Sequence, residues 1–379
     1  MTPQTLVLYS RLAFYPVHWQ ALEEIVASCS VRAVVLAAPA PELPSVHAAH
    51  GTAATTSDSI EVRRMPAGSR RERVTWLARQ LREVHPDAVW VQEEPIDPFL
   101  LEILALYRLR SRPRIAASVC ENIFPTPRSR LERLTRRLLW PRLDRLMAVA
   151  APSVEGIRAA GMPASVPADT LVAGGLGPPE HVEPLELPFP ESDFVVGFAG
   201  RLVEEKGWRV LAAALRSLPD EFRLAVAGDG PGLDGLRAEL PGRVHYAGLL
   251  PKHDLWSFYA ALDCLAVPSL TTLRWKEQLG GTLLDGLAMG IPVAASTSGG
   301  LSEAMGDVGV LVPEADSAAL AEALHRLRED RALRERLARE GRERFRREFA
   351  IPAYARKIAI ALELPRLDVK GLSADGLHP

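Results

Sequence analysis

The stretch from Pro268 to Ser296, PSLTTLRWKEQLGGTLLDGLAMGIPVAAS, decides the fold of this chain. An apolar run before it is typical of a buried strand, and Gly280 and Gly281 come directly before a helical pattern. Glycines at the start of a helix let the backbone approach an anion, and the free N–H groups and the helix dipole favour phosphate there. Because Glu277 and Asp285 bracket this turn, the stretch predicts a diphosphate site flanked by carboxylates for hydroxyl groups.

The composition of the chain is that of an ordinary globular protein. With 379 residues, 47% of them hydrophobic and 24% charged, it is long enough for two or three domains with sizeable cores. A net charge of −2 gives no general case for nucleic acid as a partner. The cysteines, Cys29, Cys120 and Cys264, are too few and too widely spaced for a disulfide framework or a thiolate metal site, which favours a reducing compartment.

Two patterns bear on location. No apolar run reaches the length of a membrane span and the N-terminal residues do not resemble a leader, so we expect a cytoplasmic protein. The stretch Arg128–Leu146, RSRLERLTRRLLWPRLDRL, places leucines among arginines at roughly helical spacing. Such a helix can contact the inner face of an anionic membrane or receive an acidic substrate; alternatively, it is a core-packed helix with a solvated basic face.

Short apolar runs alternate with helical stretches along most of the chain. The predicted strands are Thr5–Tyr9, Arg32–Ala38, Ala88–Val91, Arg114–Ser118, Arg145–Val149, Phe194–Ala199, Phe222–Ala227, Val244–Ala247, Leu262–Val267 and Pro292–Ala295. The predicted helices are Trp19–Ala27, Arg71–Val84, Trp208–Leu218, Leu233–Leu240, Leu255–Ala261, one or two helices in Ser317–Arg347, and Pro352–Leu362. This alternation indicates an α/β protein with parallel sheets covered on both faces.

A region rich in proline and glycine, between Met162 and Pro190, divides the alternation into two parts. We therefore predict two Rossmann-like, doubly wound domains that face a cleft, over residues 1–182 and 183–350. A helix over 351–364 and a tail over 365–379 follow. Ligands of such sheets bind at the carboxyl ends of the strands, so the functional loops should follow strands.

Two loops that follow predicted strands carry further candidates. In FAGRLVEEKGW, after Gly200, the cations Arg201 and Lys206 can neutralise a leaving diphosphate; alternatively, they are surface cations beside acids. In VAGDGP, Gly228 belongs to a tight turn that is either structural or adjacent to the ligand.

Five blocks between Gly197 and Pro313 resemble family-four glycosyltransferases, which have the GT-B fold. They read GRLVEEKG, GDGP, EQLGGTLLDGLAMGIPVAAS, TSGGLSEAM and GVLVP, in the family's order. The resemblance implies a retaining transfer of a sugar from a nucleotide-sugar donor, most commonly a UDP-sugar, to an acceptor hydroxyl. It implies no metal and no cofactor, and a C-terminal helix that returns to the first domain.

The resemblance also implies roles for single residues. Arg201 and Lys206 match the pair that holds the donor diphosphate. Glu277 matches the first carboxylate of the family's Glu-x7-Glu motif, which contacts the donor sugar. The turn whose amides approach sugar and phosphate is matched by Gly280, Gly281 and Thr282. Asp285 stands where the family usually has a glutamate that binds the ribose hydroxyls, so its shorter side chain must sit closer or use a water.

The first half of the chain resembles the family only loosely. Its loop after the first strand, SRLAFYPVHWQ, lacks the usual glycines. His18 in this loop is a catalytic candidate or a packed histidine, since it follows a strand that should end at the cleft. Glu93, Glu94 and Asn122 follow later strands and are candidates for the acceptor side. The acceptor could be a glycan, a lipid-linked sugar or a natural product.

Three other classes of protein remain as alternatives. Another kind of GT-B enzyme, such as a nucleotide-sugar epimerase or a phosphorylase, would have the same cleft but would need no second hydroxyl substrate. An NAD(P) oxidoreductase would need G-x-G-x-x-G after the first strand, where the chain reads SRLAFYP. A non-catalytic nucleotide-sugar-binding protein would not need Arg201, Lys206 and Glu277 together.

Overall fold

The computed structural model describes residues 3–11, 15–38, 59–107, 112–125, 127 and 129–365. Within these residues the chain forms two parallel sheets, of seven and six strands, with helices packed against them. Each sheet has the doubly wound order in which the first strand lies in the interior of the sheet. The prediction of two Rossmann-like units is therefore confirmed.

The first lobe holds the seven-stranded sheet, in the order β3-β2-β1-β4-β5-β6-β7. Its strands are β1 Gln4–Ser10, β2 Val31–Ala37, β3 Ile60–Arg64, β4 Ala88–Val91, β5 Arg114–Val119, β6 Arg145–Ala148 and β7 Ala168–Asp169. Its helices are α1 Pro16–Ser28, α2 Arg70–Val84, α3 Pro98–Leu106, α4 Arg130–Leu139 and α5 Ala151–Ala159. The central strands are buried on both faces, as their continuous apolar runs require.

The second lobe holds the six-stranded sheet, in the order β10-β9-β8-β11-β12-β13. Its strands are β8 Phe194–Ala199, β9 Phe222–Ala227, β10 Val244–Gly248, β11 Cys264–Val267, β12 Val293–Ser296 and β13 Val310–Val312. Its helices are α6 Trp208–Arg216, α7 Leu233–Glu239, α8 Lys252–Ala260, α9 Gly281–Met289, α10 Leu301–Met305, α11 Ser317–Glu329 and α12 Arg331–Glu348. Asp330 accepts a hydrogen bond from Leu333 N–H and so caps α12, which divides the charged region into two helices.

The chain crosses between the lobes in two places. Residues 170–193 lead from the first sheet to the second, and residues 349–350 lead back to a last helix, α13 Ile351–Ala361. The crossings run side by side, because Gly175 N–H donates to Phe349 O at 2.9 Å. Helix α13 packs against α1, and its Tyr354 shares a buried cluster with Trp90 of β4. The last helix thus completes the core of the first lobe.

Helix α4 turns its leucines toward solvent, which is the opposite of the core-packed alternative. Leu131, Leu134 and Leu138 point to solvent and are 73%, 52% and 60% exposed. The side chain that α4 buries is Arg136, which pairs with Glu132 on the same helix and stacks over the Trp140 ring at 5.4 Å. The predicted helical pattern also ends early, since Pro141 lies in a short 3₁₀ turn that follows α4. Residue 128, its predicted start, lies outside the described residues.

No helix among the described residues is long and apolar enough to cross a membrane.

Candidate functional site

The predicted diphosphate turn lies where β8 and β11 end and α9 begins. A pocket at this point is lined by Phe198, Ala199, Lys206, Ala266, Val267, Pro268, Ser269, Glu277, Gly280, Gly281 and Thr282. Its volume is about 30 Å³. Sites for small molecules usually hold about 300–1,000 Å³. The enclosed part of this pocket is therefore smaller than a whole nucleotide-sugar.

The carboxylate of Glu277 is held in this pocket by two side chains. Its Oε2 accepts hydrogen bonds from Lys206 Nζ and from Ser269 Oγ, both at 2.7 Å, and the side chain is only 8% exposed. The Lys206 ammonium also lies 4.7 Å from the centre of the Trp275 ring. Within the part of the chain that the structure describes, Oε1 of Glu277 has no hydrogen-bond partner. One oxygen thus fixes the side chain while the other remains available for a ligand hydroxyl.

The first turn of α9 supplies the backbone groups of the pocket. Gly280 precedes the helix with φ of +83°, a left-handed conformation that favours glycine. Thr282 Oγ1 donates to Ala199 O at 3.0 Å and ties this turn to the end of β8. A Cβ atom added to Gly281 would meet nothing within 4 Å. The N–H groups at the start of α9 are therefore accessible to an anion.

The predicted diphosphate pair is only partly brought together. Lys206 lines the pocket, whereas Arg201 extends into solvent with a side chain that is 58% exposed. The described ion pair of Arg201 is with Glu205, at 3.5 Å. Gly228 lies behind the pocket, where a Cβ atom would fall 1.9 Å from Gly200 O. Gly228 thus allows its backbone to pack against that of Gly200, whereas a Cβ atom added to Gly200 would meet nothing within 4 Å.

Asp285 lies one turn further along α9 and already has protein partners. Its Oδ1 pairs with Lys252 Nζ, and its Oδ2 accepts a hydrogen bond from Tyr259 OH at 3.1 Å. Burial, and then the charge of Asp285, raise the pKa of Tyr259, so its hydroxyl remains a donor. The same two causes raise the pKa of Tyr15 in the first lobe. Asp285 is therefore close to the boundary between the lobes.

Asn122 forms a direct contact between the lobes at the site. Its Nδ2 donates to Glu277 O at 2.5 Å, and its Oδ1 accepts from Ser153 Oγ at 2.7 Å. Both ends of this buried amide are therefore used by the protein itself. A second contact between the lobes joins Ala151 N–H to the Glu303 carboxylate. A further cavity of about 110 Å³ next to Asn122 is lined by Glu121, Ile123, Arg274, Trp275, Lys276 and Gln278.

The two acidic candidates of the first lobe have different environments. Glu93 is held by Arg11, whose Nε and Nη2 donate to its Oε2 at 2.9 and 2.6 Å. Glu94 Oε1 accepts backbone hydrogen bonds from Cys120 and Glu121 at 2.8 and 3.0 Å. Its Oε2 is buried without a partner among the described groups. Burial outweighs the two hydrogen bonds and raises the pKa of Glu94 to about 7.

His18 lies on α1 in the packing between α1, β4 and α13. Its ring stands edge-on to Trp90 at 6.1 Å, and its Nδ1 is 3.4 Å from Tyr354 OH. Burial lowers the pKa of His18 to about 4, so the ring is neutral near pH 7. These contacts favour the alternative of a packed histidine, and the structure does not group His18 with Lys206 and Glu277.

Several residues at the site escaped the sequence analysis. Ser269 and Trp275 precede Glu277 in the deciding stretch, and their position after β11 was an available signal. No sequence signal pointed to Lys252, Tyr259 and Ser153, because their partners are distant in sequence. Among the described residues, no three His, Cys, Asp or Glu side chains are grouped as metal ligands. Transfer without a metal remains a prediction.

Comparison with known proteins finds a match to a family model within the second lobe. Residues 182–344 match the family model described as Glycosyl transferases group 1. A 2-deoxystreptamine glucosyltransferase of Streptomyces kanamyceticus is 34% identical over 186 residues, 46% of this chain and 47% of that protein. A lipopolysaccharide core biosynthesis glycosyltransferase of Rhizobium meliloti is 33% identical over 196 residues, 49% and 55% of the two chains. The chain thus spans about half the length of these relatives.

Solved structures extend the similarity of fold to both lobes. The Anabaena protein HepE in complex with UDP superposes with a TM-score of 0.69 at 18% identity, over 95% of this chain and 99% of its own. Sucrose-phosphate synthase from Thermosynechococcus elongatus gives 0.68 at 19% identity, over 95% and 98%. At these identities the likeness concerns the fold alone. The fold is GT-B, two Rossmann-like domains that face each other, as the sequence predicted.

Proposed function

We propose that this protein is a retaining glycosyltransferase of the family-four type, which transfers a sugar from a nucleotide-sugar donor to a hydroxyl acceptor without a metal. The observation that carries the proposal is the pairing of Lys206 with Glu277 at the start of α9, at 2.7 Å. A cation, a carboxylate and accessible helix N–H groups then lie in one pocket, as a sugar diphosphate requires. The match of residues 182–344 to the glycosyltransferase family supports the same activity.

The proposed donor is a UDP-sugar. Supporting this choice, HepE, which shares the fold, has been solved with UDP and with UDP-glucose. In the proposed complex the diphosphate lies against the first turn of α9, between Lys206 and the exposed Arg201. Glu277 Oε1 accepts a hydrogen bond from a hydroxyl of the sugar. Asp285 binds the ribose, because its carboxylate lies on α9 one turn beyond the pocket and carboxylate oxygens accept hydrogen bonds from hydroxyl groups.

Donor binding requires Lys206 to exchange partners. In the structure, its ammonium is neutralised by Glu277. The incoming diphosphate offers a stronger, doubly charged partner, so Lys206 can turn from the carboxylate to the phosphate. This exchange leaves the Glu277 carboxylate free for the sugar, while Ser269 continues to hold it in place.

The proposed reaction proceeds on one face of the sugar. The bond between C1 and the diphosphate oxygen lengthens first, and Lys206, Arg201 and the helix N–H groups stabilise the charge that develops on the phosphate. The acceptor oxygen then bonds to C1 on the same face, and the acceptor proton passes to the departing phosphate oxygen. No side-chain base is needed, and the anomeric configuration is retained. Closed lobes exclude the water that would hydrolyse the donor.

The proposed acceptor enters from the first lobe. The cavity of about 110 Å³ beside Asn122 and Trp275 is its entrance in the closed form. Relatives that match part of the chain are named for 2-deoxystreptamine, D-inositol 3-phosphate and lipopolysaccharide core, all of which carry hydroxyl groups. A polyhydroxylated acceptor is therefore the first class to test.

Two measurements test the function. Thermal shifts with UDP, GDP, ADP and TDP and with their sugars should identify one nucleotide that stabilises the protein. Release of that nucleotide should then depend on a polyol acceptor, continue in the presence of a metal chelator, and give a product whose anomeric configuration matches the donor by NMR. An inverted product would refute retention. Isomerised donor without acceptor would indicate an epimerase, and binding without turnover would indicate a non-catalytic binding protein.

A further inference from the structure

The outer face of α4 combines leucines and arginines without any acid. The helix is capped by Ser129, whose side chain accepts from Glu132 N–H at 3.0 Å, so it is well formed despite its exposed leucines. Leu131, Leu134 and Leu138 lie at spacings of three and four residues and therefore form one stripe along this face.

The charged side chains of α4 are also divided between its two faces. Arg130, Arg133 and Arg137 are exposed between the leucines, whereas the acid of the helix, Glu132, is half-buried and paired with Arg136. The outer face is consequently both apolar and positive. A helix on a protein surface normally buries its leucines and exposes its polar residues, whereas this helix exposes three leucines together with three arginines.

We propose that α4 is a docking helix for an anionic phospholipid bilayer. The three leucines enter the boundary between headgroups and acyl chains, and the three arginines bind lipid phosphates. Arginine suits this arrangement, because its long stem lies along apolar surface while the guanidinium reaches the headgroups. The proposal concerns binding to lipid and does not depend on the identity of the sugar donor.

Two features favour a bilayer over a protein partner. The leucines project singly between guanidinium groups, at exposures of 52–73%, and so form a charged convex ridge. Such a ridge suits a fluid surface that adapts to it, whereas the core of a protein interface is depleted of charge. The loop that leads into α4 carries Glu121, Asn122 and Ile123, which line the cavity between the lobes. Docking through α4 would therefore bring the proposed acceptor entrance close to the bilayer.

Co-sedimentation with vesicles tests the proposal. The full chain should bind vesicles of mixed phosphatidylcholine and phosphatidylglycerol, bind pure phosphatidylcholine weakly, and release as salt is raised. Changing Leu131, Leu134 and Leu138 together to serine should lower the bound fraction about tenfold or more. Because these side chains are exposed, the thermal midpoint should fall only slightly, through the lower helix propensity of serine. Changing Arg130, Arg133 and Arg137 to glutamine should remove the preference for the anionic lipid.

A matched control uses another exposed leucine. Leu273 is 99% exposed in the loop before Glu277, so Leu273→Ser removes a similar apolar surface away from α4. This variant should bind vesicles as the unchanged protein does. Equal binding of the triple-serine variant, or no binding of the unchanged protein to the anionic vesicles, would overturn the proposal. So would a dimer in light scattering that the triple-serine change dissociates, because α4 would then be a protein interface.

Discussion

Asn122 Nδ2 donates a hydrogen bond across the cleft to the backbone oxygen of Glu277, at 2.5 Å. A side chain of the first lobe thus holds the residue whose carboxylate binds Lys206 in the second lobe. When the lobes separate, this bond must break. The position of Glu277 is therefore coupled to the closure of the cleft.

Replacing Asn122 should lower turnover more than it lowers donor affinity. Asn122→Asp keeps the oxygen that accepts from Ser153 but removes the N–H donor to Glu277. A shift of the carboxylate by about 1 Å can cost roughly a hundredfold in rate, so we expect kcat to fall between tenfold and a hundredfold. Steady-state kinetics with varied donor separates kcat from KM.

The second contact between the lobes provides the control for Asn122. Glu303→Ala removes the bond to Ala151 N–H without touching Glu277. If Asn122 acts by positioning Glu277, kcat should fall much less in the Glu303 variant. Equal losses in both variants would mean that Asn122 matters only for closure.

Gly281→Ala should separate donor binding from folding. The new Cβ meets no atom within 4 Å, and alanine favours a helix over glycine, so the thermal midpoint should stay or rise. The methyl group would nevertheless occupy the proposed phosphate cradle and should raise the donor KM about tenfold or more. In contrast, Gly280→Ala should lower the midpoint, since its φ is +83° and its Cβ would lie 2.5 Å from Leu301. Unchanged donor binding in Gly281→Ala would place the diphosphate elsewhere.

Arg201→Ala should reduce turnover strongly without affecting stability. The side chain is 58% exposed and its described partner is Glu205 at 3.5 Å, so folding should change by less than about 0.5 kcal/mol. Loss of one group that stabilises transition-state charge typically costs about 10²–10³ in kcat. Rapid-quench or steady-state assays together with a melting curve measure both effects. Nearly normal activity would refute the diphosphate role.

Asp285 should make the site distinguish UDP from 2′-deoxy-UDP. A hydrogen bond to a charged group contributes about 1.5–3 kcal/mol, so UDP should bind about tenfold or more tightly in calorimetry. Asp285→Asn should remove most of this difference. Lys252→Met, which removes the cation and leaves the carboxylate, should retain it. Equal affinities in the unchanged protein would show that the ribose lies away from Asp285.

Glu94 should make stability fall as pH rises. Its carboxyl has a pKa of about 7 in the fold against an ordinary 4.5. The neutral form is therefore favoured by folding, and this stabilisation is complete below pH 4.5 and lost as pH rises through 7. At one pKa unit per 1.36 kcal/mol the full loss is about 3 kcal/mol.

Glu94→Gln removes the titration and keeps an oxygen for the N–H groups of Cys120 and Glu121. Melting curves between about pH 5 and pH 8 should then be flatter in the variant than in the unchanged protein. Parallel curves for the two proteins would refute the raised pKa.

The second lobe was more predictable from sequence than the first. Its loops follow buried strands, so the order of motifs alone placed Lys206 and Glu277, 71 residues apart, at one edge of the sheet. Their ion pair was not predicted, because sequence pattern gives the neighbourhood of a side chain but not its partner. The partner of Asn122 could not be predicted for a further reason, because it depends on how the two lobes face each other.

The prediction of secondary structure failed where the hydrophobic pattern of the sequence and the observed burial disagree. Strand β3, IEVRR, is only five residues long and has one buried residue and three charges, so its apolar signal was too weak to indicate a strand. Helix α3, PFLLEILAL, is apolar almost all round and shows little helical period. For α4 the sequence established an amphipathic helix but not which face the protein covers, because amphipathicity alone does not choose between a core and another apolar surface.

The side-by-side crossings at Gly175 and Phe349 determine how the cleft can open. Lobes tethered by a single strand could swivel and twist about any axis. Here two chain segments run side by side. Lys357 Nζ links them by donating hydrogen bonds to Leu171 O at 3.0 Å and to Glu348 O at 2.9 Å. This arrangement favours rotation of the lobes about a single hinge axis. Each closure of the cleft should then return Asn122 to the same position opposite Glu277.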